Sequence, residues 1–598
     1  MDKNAIDKRI SELLMVLNSS HTNSDLGEHV LDVIPELFSL LKDEAFSQQP
    51  EMVAACMELI ELLPEVCPPK EVIIALLDQA YGFKDDVHFR ALLRPIGKSI
   101  QRLDSNKYHS LDLAAENLYD HLASLALPQD KQDLVETLVS GSSPSAEKIS
   151  LLAMAFLEFL EPFAKELSWL DPGSSADARS PVQKHVQSLT TCLIKVLDRP
   201  LGYLNLSVTE PKSISCLCGE HCIRLISQLQ PNFIKAFKEI LEKNDTIART
   251  VKHRKAEKER SPQNCLSEDM DASDEEETDV TELLVPQIGL AVGAYLIFDQ
   301  RLYFQSLPRV YTAQYLFEIN RRFVITLLKT SHSQLIYKGM RLHLCLLDNI
   351  PVKTLDSNIL QCDETQELLR SIINTTISCK VKELNQLAVV LFKKFLSSFE
   401  GSGRTFLLNF VSQSYSQSNV QAYIAKLVKD EICECLDNSE QTDKSYAAML
   451  LKKFLDRFFS YKPSPKGSLL EEGDRILASL NLLRYLVIRD KPCRNSTGIW
   501  THVPVIEENF LKTLGSELQV MQSFVQDRMR VIRDGGQPTS NVDDLKYDVT
   551  IGNDMLENLT PEQQMETLHS AWSNLDMIES VLIRVKQLIG EEKQGLAA

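Results

Sequence analysis

A chain of 598 residues is longer than one hydrophobic core usually serves, and its 44% hydrophobic and 25% charged content is that of a globular protein, so two or more domains or an extended repeat array are expected. The formal charge of −19 lacks the basic excess that displaces counterions from phosphates, which argues against nucleic acid and makes basic protein partners more plausible. No stretch reaches the ~18 uninterrupted apolar residues of a membrane span, and the 13 cysteines lie mostly inside apolar runs with no disulfide framework, which reads as reduced thiols in the cytoplasm or also the nucleus.

In chain order, Ile6, Ile10, Leu13, Leu14 and Leu17 share one helical face, the pattern of a docking helix and not of a signal peptide. Beyond them apolar residues recur every three or four positions, and strand-like alternation is nearly absent. The spacing predicts helices over Glu28–Lys42, Glu51–Leu63, Lys70–Tyr81, Ile149–Leu170, Ile214–Leu229, Leu335–Leu347, Val381–Phe399 and Ala422–Cys435. Breaks are predicted at Pro68-Pro69, Ser142–Ser145, Pro172–Pro181, Pro200–Pro211, Pro351 and Gly401–Gly403, because Pro removes a helical hydrogen bond and Gly loosens the backbone. The fold class is therefore all-α. Successive bundles or a stack of helix pairs would both give this pattern. The stack is favoured, since each pair leaves an apolar face that only its neighbours can cover, and intervals of roughly 35–50 residues suit degenerate HEAT-like repeats.

The sharpest compositional boundary follows Lys252. Lys252, Arg254, Lys255, Lys258 and Arg260 give way to Glu268, Asp269, Asp271 and the acidic run Asp274–Glu277. Segregated charge with little apolar area predicts a disordered linker over 251–282, between an N-terminal helical-repeat domain over 1–250 and a C-terminal HEAT-like domain over 283–598. Ser273 ahead of Asp274-Glu275-Glu276 is a possible phosphorylation site for an acid-directed kinase. Further flexible stretches are expected at Tyr461–Gly473 and Asp534–Pro561.

The search for chemistry is mostly negative. Gly401-Ser402-Gly403-Arg404-Thr405 lacks the Walker spacing and its Lys-Ser/Thr pair, and reads as a helix-terminating turn. Cys216, Cys218, His221 and Cys222 are zinc-competent residue types, but Cys216 and Cys218 would point about 200° apart on one helix, so buried structural thiols are expected. No serine-hydrolase elbow, zinc-protease helix or kinase set occurs, and no catalytic residue, metal, cofactor or small-molecule substrate is expected.

The most informative run is DRILASLNLLRYLVIRD at Asp474–Asp490. Ile476, Leu480, Leu483 and Val487 make its core stripe, whereas Asn481 and Arg484 lie with Leu477 and Ile488 on another stripe. Both readings of that second stripe stay open here: contacts between repeats, or contacts with a partner. With SerThrGlyIleTrp at Ser496–Trp500 and IleGluGluAsnPheLeu at Ile506–Leu511, this order and spacing resemble the C-terminal signature of the glomulin family, inhibitors of cullin-RING ubiquitin ligases. Weaker resemblance runs upstream through LeuProArgVal at 307–310, TyrLysGlyMetArgLeu at 337–342, PheLeuLeuAsn at 406–409 and AlaTyrIle at 422–424, so that it covers roughly 290–590.

The resemblance implies a HEAT-like solenoid whose C-terminal half binds the RING domain of the RING-box subunit, with its cullin. Such binding would cover the surface that recruits the ubiquitin-conjugating enzyme. Asn481, Arg484, Trp500 and Asn509 are the expected contact residues. A generic α-solenoid adaptor with a non-RING partner is the competing expectation.

Overall fold

The structure is a computed structural model that describes residues 31, 33–39, 41, 50–82, 86–128, 143–169, 181–208, 211–260, 284–306, 310–379, 381–437, 441–462, 468–533, 550–551, 554–555 and 560–597. The described elements are almost all helices, as the three-to-four spacing predicts, and the all-α helical-repeat fold stands. A two-residue pair, β1 (Thr550–Ile551) against β2 (Asp554–Met555), is antiparallel with Thr550 opposite Met555. Among the described residues no helix is long and apolar enough to cross a membrane. The docking helix near the N-terminus, Ser273, the acidic run and the motif at 307–309 lie outside the described residues.

Contacts divide the chain into two compact units, Met1–Val352 with Gln361–Ser398, and Lys353–Leu360 with Phe399–Ala598. The first unit holds α1 (Pro50–Val66), α2 (Pro69–Gly82), α3 (Asp86–Gln101), α4 (Lys107–Ser124), α5 (Pro144–Trp169), α6 (Pro181–Asp198), α7 (Ile214–Leu229), α8 (Phe233–Arg260), α9 (Gln287–Phe298), α10 (Ala313–Leu328), α11 (Ser333–Asp348), α12 (Asp363–Ser378) and α13 (Lys382–Ser398). Most large contacts join helices that are near neighbours in sequence, such as α5 with α7, α10 with α11 and α12 with α13. That is how a stack of helix pairs covers its apolar faces. In α5, Leu152, Phe156, Leu160, Phe163 and Leu167 recur at three- and four-residue steps and are buried. Burying each such side chain contributes about 1.5–3 kcal/mol before the entropy of ordering it is set against the gain.

The expected division at the charged segment is corrected by α9. Its residues Gly289–Phe298 are all buried, so it has no solvent face and must be surrounded. It packs on α6 and α7, which precede the acidic run, and on α10 and α11, which follow it. Two polar clamps add to this. The Asn244 side chain exchanges hydrogen bonds with the Val285 backbone, 2.8 and 3.2 Å, and Arg322 on α10 pairs bidentately with Asp245 on α8, 2.7 Å at each oxygen. The segments on either side of the charge run therefore belong to one unit. Residues 251–260, expected in the linker, continue α8 to Arg260, since good helix formers such as Lys, Arg, Ala and Glu carry the helix on without an apolar face.

The predicted break at Pro200–Pro211 is a packed strap. Leu201, Leu204 and Leu206 are buried, and the Lys338 amine from α11, itself only 1% exposed, donates to the carbonyls of Gly202 (2.9 Å) and Leu204 (2.6 Å). The two bonds answer carbonyls that have left the helix ladder.

The second unit holds α14 (Gly401–Ser414), α15 (Ser418–Asp437), α16 (Gln441–Phe458), the short α17 (Ser468–Glu471), α18 (Gly473–Arg489), α19 (Ile499–Ile506), a π-helical turn (Glu507–Lys512), α20 (Thr513–Arg533) and α21 (Pro561–Ala597). Here Gly401–Thr405 opens a helix where a terminating turn was expected. Gly403 permits this, because a Cβ there would sit 3.0 Å from the Phe399 side chain just outside the helix. Of the flexible stretch expected at Tyr461–Gly473, residues 468–473 are helix or turn, and 463–467 lie outside the described residues. Most of the stretch at Asp534–Pro561 lies outside them too.

Candidate partner-binding groove

The helix singled out by sequence, α18, is fixed along its length by α15. At their N-terminal ends the Arg475 amide donates to Ser418 Oγ (3.1 Å), and at their C-terminal ends Arg489 pairs with Asp437. The two helices thus run parallel. Their interface is built from Ile424, Leu427, Val428 and Ile432 on α15 and from Ile476, Leu480, Leu483 and Val487 on α18, all buried. The predicted core stripe of α18 is the one observed.

The other stripe of α18 faces outward. Leu477, Asn481, Arg484 and Ile488, with Asp474, Ala478 and Tyr485, line one wall of a groove of about 710 Å³. The opposite wall is α15, through Asn419, Ala422, Tyr423, Lys426 and Lys429. Asn481, Arg484 and Lys426 are exposed, and Lys429 is half-buried. Among the described residues, none of Lys426, Lys429 and Arg484 has a carboxylate within ion-pair distance. Burial, with Asp430 behind it, pushes the Tyr423 hydroxyl up to about 12, so the phenol is a neutral donor at physiological pH.

The structure does not bring all four expected contact residues into this groove. Trp500 and Asn509 are absent from its walls. Asp490, just past α18, organises the loop that leads to Trp500. Its carboxylate accepts from the amides of Ser496 (2.8 Å) and Thr497 (2.7 Å) and from Thr497 Oγ1 (2.6 Å). The half-buried Trp500 donates its indole N–H to the Asp490 carbonyl, and its amide donates to Asn495 Oδ1 at 3.1 Å. Trp500 therefore holds the loop. Asn509 is exposed on the π turn, and its carbonyl meets the Tyr461 amide at 3.5 Å.

Sequence reading missed Lys426 and Lys429. They lie three residues apart on the face of α15 next to the Ile424–Leu427–Val428 stripe, a signal that could be read only once α18 was known to lie alongside.

The zinc-competent set is dispersed on α7. Cys218 Sγ donates to the Ser150 carbonyl at 3.1 Å and Cys222 Sγ to the Leu193 carbonyl at 3.4 Å, while His221 Nε2 lies 3.3 Å from a Glu161 oxygen. Burial pushes the Cys218 thiol up to about 12 and raises those of Cys216 and Cys222, so all three are protonated thiols at pH 7. Among the described residues no group of three His, Cys, Asp or Glu side chains is placed to hold a metal. A second cavity, about 200 Å³ in the first unit, is walled by Phe233, Phe237, Phe298 and Phe323. Its rim arginine, Arg322, is already committed to Asp245.

A family profile described as "Uncharacterised protein family, YAP/Alf4/glomulin" matches residues 300–580, the span that contains the groove. A Mus musculus protein named Glomulin is 25% identical over 593 residues, covering 98% of this chain and 91% of that protein. Homo sapiens Glomulin is 26% identical over 542 residues, covering 89% and 83%. Similarity thus extends through the N-terminal half. Among solved structures, a crystal structure of Kap121p bound to Pho4p covers 98% of this chain and 62% of that one at 10% identity, with a TM-score of 0.20, too slight a likeness to carry an argument.

Proposed function

From the premise that this chain is a relative of glomulin, we propose that it is a non-catalytic inhibitor of cullin-RING ubiquitin ligases, acting in the cytoplasm and also the nucleus. It binds the RING domain of the RING-box subunit, with its cullin, and occupies the surface that recruits the ubiquitin-conjugating enzyme. Inhibition is steric, so it requires a shaped surface and no chemistry on this chain. The observation that supports the reading best is the family match over residues 300–580, within which α15 and α18 leave an open groove with Asn481 and Arg484 on its wall. Asn481 and Arg484 are assigned the direct contacts, Asn509 an adjoining contact, and Trp500 the support of the loop between them.

The test uses the full-length protein, a purified RING-box and cullin complex, and a charged conjugating enzyme. Binding should be mutually exclusive with the enzyme and should stop ubiquitin-chain synthesis. Arginine anchors in interfaces cost about 2 kcal/mol or more when truncated, so Arg484→Ala should weaken inhibition roughly 30-fold. Circular dichroism of the variant separates lost contact from lost fold. A ternary complex with the conjugating enzyme still bound would overturn the masking mechanism, and no binding at all would overturn the reading.

A further inference from the structure

We propose that the α15–α18 groove receives an acidic, amphipathic segment of the protein partner. The inference rests on the reading that this face binds a partner, and goes beyond it by assigning the chemistry of what enters.

Three cations converge on one part of the groove, Lys426 and Lys429 from α15 and Arg484 from α18. Each is without an ion-pair partner among the described residues, in a chain of net charge −19. Several other basic side chains of the unit are used internally. Arg404 pairs with Glu431, Arg475 with Glu472, Arg489 with Asp437, and Lys353 with Glu434. Three such cations lining one groove beside a single acid make a local positive field available to an incoming anion.

The floor between them is apolar and shallow. Ala422, Ala425 and Ala478 are small, so the groove is open at its base, and Leu477 and the exposed Ile488 give it greasy walls. Asp474 is the lone acid lining it, on the first turn of α18, ten residues before Arg484. The polarity along the groove therefore has a direction. An entering segment places its carboxylates against Lys426, Lys429 and Arg484, and an apolar side chain against Leu477 and the alanines. From Asn419 to Lys429 the wall is about 15 Å long at 1.5 Å per residue, room for roughly three turns of helix. Helix-in-groove docking with charged flanks is a recurrent mode of peptide recognition.

The experiment measures binding of the full-length protein to two probes. One is the RING-box and cullin complex; the other is a fluorescent helical peptide patterned with Glu on one face and Leu on the other. Lys426→Glu with Lys429→Glu is compared with Lys426→Gln with Lys429→Gln, and circular dichroism confirms the fold of each. The expected result is a loss of about tenfold or more for the charge reversal on the complex and on the peptide, with a smaller loss for the neutral pair. Binding of the complex that is unchanged by charge reversal overturns the groove chemistry and leaves the proposed function standing. Peptide binding that depends on the lysines, with no binding of the complex, upholds the groove chemistry and removes the RING-box reading. Failure of both probes overturns both.

Discussion

Replacing Lys338 with Met tests how the first unit holds its strap. The wild-type amine is buried and donates to the carbonyls of Gly202 and Leu204 at 2.9 and 2.6 Å. Met keeps the length of the side chain and fills the space, but leaves two buried acceptors without their donor. Each orphaned carbonyl costs about 1–3 kcal/mol, and relief from burying the amine offsets about 2 kcal/mol of this at pH 9, so a net loss of about 2 kcal/mol is expected there.

The loss should depend on pH in a definite direction. Burial drives the amine down to about 7 from its ordinary value. Between that pKa and the unfolded value near 10.4 the unfolded chain binds the extra proton, so wild-type stability rises with pH through this window and is flat below it. Relative to Lys338→Met, the wild type should gain roughly 2 kcal/mol between pH 7 and pH 9. A chain of two units does not unfold in one step, so the readout must be local. Hydrogen exchange at the amides of Tyr203 and Leu204, bonded to Pro200 and Leu201 carbonyls at 3.2 and 3.0 Å, reports the strap directly. Unchanged protection in the variant, or a deficit greatest at pH 6, would refute the reasoning.

Other expectations follow from buried positions. His343 lies between Phe317 and Phe395 with neither ring nitrogen hydrogen-bonded, and burial lowers its pKa to about 3. His343→Leu should stabilise the fold by about 1–2 kcal/mol at pH 7 and remove a loss of about 2 kcal/mol that the wild type suffers between pH 6.5 and pH 5, because the unfolded imidazole protonates there and the folded one does not. Hydrogen exchange along α11 in both proteins at the two pH values checks this; parallel pH profiles count against it. At Gly289 an added Cβ would lie 2.2 Å from the Ile194 carbonyl oxygen, a backbone atom that cannot rotate away, so Gly289→Ala should cost about 3 kcal/mol and speed hydrogen exchange along α9. Trp500→Phe removes the indole bond to the Asp490 carbonyl and should cost about 1 kcal/mol, speeding exchange at Ser496 and Thr497 while binding of the RING-box complex is kept. Loss of that binding with unchanged exchange would return Trp500 to the contact surface.

Much of this molecule was legible residue by residue. The three-to-four spacing determined the helices, and Ile214–Leu229 appears with the predicted bounds, because an amphipathic face fixes both the period and the side that is buried. The two stripes of α18 were readable for the same reason. What sequence did not determine was partnership. The helix α9 is apolar all round, so its pattern carries no direction, and only packing decided that it joins helices from both sides of the charged segment. The expected boundary failed there because charge composition reports local solubility, whereas a unit is defined by which faces meet. Lys426 and Lys429 become part of a groove only because α18, some 50 residues later, lies beside them, and Lys338 is buried only because it reaches the strap carbonyls. Helical period is a local property of the chain; grooves and buried charges arise from contacts between distant segments, which local spacing does not encode.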